Sequence, residues 1–93
     1  MPHFLRRTVA EKVRIEFIEA DVDIGFSLVD EAKACRAAGQ PQFSSSALQQ
    51  AAEILAKIEL RIQQLGATEA APFALLIAAL RDEIAAVERE TPP

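Results

Sequence analysis

Glu19-Ala20-Asp21-Val22-Asp23-Ile24-Gly25-Phe26 is the stretch on which the fold turns. With a period of two, Val22, Ile24, Phe26 and Leu28 alternate with Asp21, Asp23, Gly25 and Ser27, as they would in a half-buried strand. At about 100° per residue the same letters continue apolar rows that run well beyond the stretch on both sides. The longer pattern outweighs the shorter one, and the spacing predicts a single helix from about residue 5 to residue 38. A glycine inside a helix costs about 1 kcal/mol relative to alanine. Close approach of a neighbouring helix would offset that cost at Gly25, and a kink is the alternative.

Working outward along this helix, Ile15, Ile18, Val22, Gly25, Val29 and Ala32 form one seam. Val13, Phe17, Ala20, Ile24, Leu28 and Cys35 form a second on an adjacent side. Two seams suit a helix with two neighbours, which argues for a three-helix bundle. Lys12, Glu16, Glu19, Asp23 and Asp30 fall away from both seams and read as a solvated face. Asp21 falls between them, where a carboxylate is at least partly buried and needs a cation or a donor. Arg14, two turns earlier on the same face, is the in-helix neighbour, and Arg61, Lys57 or Arg81 could arrive from other helices.

Two breaks divide the rest of the chain. Gly39 can end the first helix and Pro41 prevents its continuation, while Gly66 followed by Ala67-Thr68 is a second stop. Helix two is expected over about 44–65, with Ser44 as its N-cap, Phe43 placed to staple onto Leu48, and Ser46 with Gln49 as a second capping option. Its face is Leu48, Ala51, Leu55, Ile58, Ile62 and Leu65, widened by Ile54 and Ala52. Helix three is expected over about 69–90, with Pro72 in its first turn. Its face is Phe73, Ile77, Leu80, Ile84 and Val87, with Leu76 beside it. The expected architecture is all-α, one domain over residues 1–93, an antiparallel three-helix bundle with a long first helix.

Composition sets the limits on function. Of 93 residues, 51% are hydrophobic but only 5% aromatic, so the core is aliphatic. Ten basic residues against fourteen acidic ones give a net charge of −4, and Arg6-Arg7 is the lone adjacent basic pair, so no nucleic-acid partner is expected. No export signal is visible, and the longest apolar run, Ala70 to Leu80, is far short of the roughly 18 residues of a membrane span. The polar helix faces carry no excess of Lys and Arg for a membrane surface. The single cysteine, Cys35, excludes an internal disulfide and points to the cytoplasm. One histidine, His3, and one cysteine assemble no metal site, and Ser44-Ser45-Ser46 lacks a base, so neither a cofactor nor an enzyme is expected.

Ala32 through Ala38, Gly39 at the turn, then Ala47, Ala51 and Ala52 resemble the small-residue contacts of tetratricopeptide-repeat hairpins and of three-helix microtubule-interacting-and-trafficking domains. That resemblance covers roughly Gly25 to Leu65. It implies a groove for a peptide or a partner helix and carries no catalytic residue across. The chain departs from those families in lacking Trp and Tyr, in having no proline that closes the hairpin, and in having one unit.

At 1.5 Å per residue the first helix would be about 50 Å long and the other two roughly 30 Å each. Phe4, Leu5, Val9 and Val13 are therefore left with little to pack on and become the candidate interface. The first expectation is a self-associating helical interaction domain, most simply a symmetric homodimer. The second is a monomeric adaptor whose groove takes a partner helix or peptide. The third, an enzyme or small-ligand binder, would rest on carboxylates near Asp21, with Arg14 beside it.

Overall fold

The computed structural model describes residues 9–90. They form α1 (Val9–Ala37), α2 (Pro41–Ile62), the single turn α3 (Ala67–Ala70), a 3-10 turn (Ala71–Phe73) and α4 (Ala74–Glu90). Three long helices make an all-α bundle, with no strand among the described residues.

The Glu19–Phe26 stretch is helical throughout, and α1 passes Gly25 without a break. Its buried residues are Ile15, Ile18, Val22, Gly25, Val29 and Ala32, the first seam residue for residue. A Cβ added at Gly25 would stand 2.8 Å from Leu80 Cδ2 and 3.7 Å from Ile54 Cγ2. Gly25 is therefore the point where the Leu80 side chain of α4 crowds α1, with α2 in ordinary contact beside it, and any side chain there would require Leu80 to shift.

α1 ends in a left-handed glycine. Gly39 has φ +75°, its N–H donates to Arg36 O at 3.0 Å, and Gln40 N–H donates to Cys35 O at 2.8 Å. That is the Schellman arrangement, and it reverses the chain in three residues. α2 then opens three residues earlier than the Ser44 cap predicts, with Pro41 in its first turn and Gln40 before it. Proline's fixed φ and missing N–H suit that position, so the residue that stops α1 also starts α2. Ser44 is buried instead of capping. Ser46 accepts a bond from Gln50 Nε2 at 3.5 Å.

The third expected helix is likewise divided. Pro72 removes a backbone donor, and the chain tightens to a 3-10 turn before α4 begins at Ala74. Phe73, Ile77, Leu80, Ile84 and Val87 are all buried, as their spacing implies.

Direction follows from the contacts. Gly25 lies by Ile54 and Asp21 pairs with Arg61, so α2 runs antiparallel to α1. Gly25 lies by Leu80, Lys33 pairs with Glu83, and Arg36 donates to Val87 O, so α4 runs parallel to α1. Ala32, Ala47 and Ala51 are buried, and small side chains of this kind let the α1–α2 hairpin close tightly. α4 fills one side of that hairpin, completing a core of Ile, Leu, Val and Ala with Phe73 at one end.

The expectation that α1 needs two seams fails. Phe17 and Ile24 are 55% and 46% exposed, and Ala20 is exposed beside them. In a triangular bundle the two neighbours of a helix lie only about 60° apart around its axis, so one ~100° stripe meets both. Among the described residues the second seam is half-buried only at Cys35 and at Leu28, which borders α2, and its Val13–Ile24 part stays exposed.

Candidate functional site

Three side chains from two helices meet on the flank of the bare seam. Asp21, on α1, accepts a hydrogen bond from Arg61 Nη1, on α2. The same guanidinium lies over the Phe17 ring, 5.2 Å from its centre. Asp21 is 15% exposed at its side chain and Arg61 35%. Arg61 therefore does two things at once, neutralising a carboxylate that the helix spacing forces between two apolar rows and placing its positive charge over an aromatic ring. Arg14 is half-buried and is not the partner of Asp21. Lys57 borders a separate hollow on the α1–α2 face, and Arg81 pairs with Glu59.

Asp21 does not open into any of the surface grooves described below, and its oxygen faces a cation already in place. Among the described residues no three His, Cys, Asp or Glu side chains come together to hold a metal ion. Cys35 is a half-buried free thiol. Ser44 Oγ is buried without a hydrogen-bond partner among the described residues. No described helix is long and apolar enough to cross a membrane.

What the surface does offer is apolar. Val9 is 80% exposed and Val13 41%, and with Phe17 and Ile24 they make one continuous stripe along α1 at steps of four, four and seven. Phe4 and Leu5, the other two residues of the candidate interface, lie outside the described residues. Ile24 and Leu28 continue the stripe into a shallow hollow floored by Ile54 and edged by Gln50, Glu53 and Lys57 of α2. This is the side of the hairpin opposite α4. The size of the patch could not be read from the sequence, because periodicity shows which rows want cover and not which rows receive it.

Two further grooves sit elsewhere. One lies between α1 and the start of α4: Val22 and Phe73 are its buried floor, Phe26 and Leu76 its walls, and the exposed carboxylates of Glu19 and Asp23 its rim. The other is lined by Ile62 of α2, by Ala67, Ala70 and Ala71, and by Ala74 and Ile77 of α4.

Comparison with protein-family models, with curated proteins and with solved structures finds no match to this chain. The likeness to tetratricopeptide and microtubule-interacting hairpins thus gains no support from those comparisons, and the functional reading rests on the surface alone.

Proposed function

We propose that this protein is a helical protein-interaction domain that pairs with a second copy of itself through the bare side of α1. The observation that carries the reading is the stripe of Val9, Val13, Phe17 and Ile24, apolar, continuous and left largely exposed by the described helices. Together these side chains leave roughly 400 Å² of apolar surface in water, within the range of about 300–600 Å² reached by the largest patch of a typical monomer, and patches of that size are often functional. A standard interface takes about 800 Å² from each partner, somewhat over half of it apolar. The stripe and its immediate border match that share. Phe17, held under Arg61, belongs to the residue classes that dominate binding energy when buried at an interface centre. Phe4 and Leu5 extend the same apolar character ahead of Val9 in the sequence.

A net charge of −4 supports a protein over a nucleic acid as partner, and a lone free thiol is at home in the cytoplasm. The pairing of Asp21 with Arg61 supports a structural role for that carboxylate. A monomeric adaptor is the second reading. The groove lined by Ala67, Ala70, Ala71 and Ala74 favours it, because small side chains let a partner helix approach closely.

Absolute mass by light scattering across a concentration series tests the proposal. Self-association predicts a mass that doubles with concentration and returns to the monomer value in Phe17→Asp and Ile24→Asp. A wild-type chain that stays monomeric at every concentration rejects it in favour of the adaptor.

A further inference from the structure

The groove between α1 and α4 carries chemistry that the bare stripe does not. Its floor and walls are apolar, and one rim holds Glu19 and Asp23, neither of which is paired with a cation among the described residues. Such a site fits a short segment with large apolar side chains next to positive charge. The chain itself contains one. Phe4-Leu5-Arg6-Arg7 sets two apolar residues beside the sole adjacent basic pair in the sequence, and the first ten residues contain no Asp or Glu although the whole chain is acidic.

To seat itself in its own groove the segment would have to reverse at Val9 and run back almost fully extended, and its backbone would still stop short of the far wall. Phe4 is five residues from Val9, a span of at most about 18 Å even when fully extended. Phe26, at the far wall, lies seventeen residues along α1 from Val9, about 25 Å at helical rise. A second copy has no such limit. We infer that the Phe4-Leu5-Arg6-Arg7 segment of one copy docks in the Glu19/Asp23-rimmed groove of another, with Phe4 or Leu5 against Phe26 and Phe73 and the arginines against the two carboxylates. The inference rests on the reading that copies of this chain associate, and it assigns to that association a second contact, distinct from the stripe.

A charge exchange in the full chain tests it. R6E/R7E reverses the segment and E19K/D23K reverses the rim, where both carboxylates are exposed. Each double variant alone should raise the dissociation constant of self-association about tenfold or more, since like charges then meet. Mixed in equal amounts, the two should recover wild-type affinity, because each segment then finds a rim of opposite sign in the other copy. Raising the salt should weaken the wild type and the mixture alike. Two results overturn the inference. Either double variant associating as the wild type does would show that the charges never meet. A mixture no tighter than its components would show that the contact is not exchanged between copies.

Phe17→Asp separates this from the stripe. If Phe17→Asp dissociates the protein while the charge variants have no effect, the stripe stands and the groove falls. If the charge variants behave as expected and Phe17→Asp has no effect, the groove stands and the stripe falls.

Discussion

The two long sides of α1 carry the same kinds of residue at the same spacing, yet one is buried against two helices while the other is only edged by α2 and stays largely exposed. Ile15, Ile18, Val22, Gly25, Val29 and Ala32 are covered; Val9, Val13, Phe17 and Ile24 are not. The difference lies in size rather than hydrophobicity. The covered side has a glycine and an alanine where α2 and α4 come nearest, and α2 answers with Ala47 and Ala51, so the helices can approach closely. The bare side has a phenylalanine and an isoleucine and would hold a neighbour further off. Covered and bare sides should therefore answer the same kind of truncation differently. Ile18→Ala, at a site with no exposure, should lower unfolding stability by about 2–5 kcal/mol at any protein concentration. Phe17→Ala in dilute solution should cost under about 1 kcal/mol, chiefly its contact with Arg61, and show its larger effect only where copies associate. Urea unfolding at two concentrations reads both. Equal losses in dilute chain would mean that Phe17 is core, and the contrast between the sides would collapse.

Gly25 sharpens the same contrast from the covered side. Alanine there gains about 1 kcal/mol of helix propensity, but its Cβ meets Leu80, which is fully buried and would have to shift within the core. Overpacking of this kind costs about 1–3 kcal/mol, so Gly25→Ala should come out destabilising by up to about 2 kcal/mol. Leu80→Ala should be less damaging in the Gly25→Ala chain than alone, and a double-mutant cycle by urea unfolding measures that coupling. Additive losses would place the close approach elsewhere.

How much of this the sequence carries depends on the kind of question. The buried rows of α1 and α4 are legible residue by residue, because burial on a regular helix follows from spacing alone. The row of α2 is legible in its middle, at Leu48, Ala51, Leu55 and Ile58, and blurred at its ends, where Ile62 and Leu65 are only half-buried and Ser44 is buried as a polar residue. The helix starts are less legible. Pro41 and Ser44 both carry valid start signals, and the tight glycine turn before Pro41, a feature of backbone geometry, decides between them. The need of Asp21 for a cation is visible in the helix spacing. Its choice of Arg61 among four candidates is not, because that depends on the register between α1 and α2. The bare stripe is visible as a row and invisible as a surface, since its exposure depends on where α4 settles.

The ion pairs supply the smaller effects, and they rank by burial. Asp21 and Arg61 are largely shielded, so Asp21→Ala, which strands the guanidinium, should cost about 1–2 kcal/mol. Arg61→Ala strands the carboxylate instead and also uncovers Phe17, so it should cost at least as much. Urea midpoints for both variants would show it, and losses no larger than those of a surface pair would mean that the flank of the stripe is effectively solvated.

Lys33 and Glu83 stand at the other end of the range, 3.0 Å apart with half of the lysine side chain in water. The hydrogen bond to Glu83 raises the Lys33 pKa above the ordinary lysine value, and the Glu83 charge adds to it, with smaller help from Asp30 and Glu90 and a small opposition from desolvation. A pKa raised on folding means that the folded state holds the proton more tightly than the unfolded chain does. The contribution is therefore complete below the ordinary lysine pKa and disappears as the pH climbs through the raised one. The wild type should be slightly more stable than Lys33→Met at neutral pH, and the two should converge at strongly alkaline pH. Subtracting one stability profile from the other cancels the remaining lysines, whose titration is common to both chains. A gap that persists at high pH would mean that Lys33 acts through its methylene packing against α4 and not through its charge.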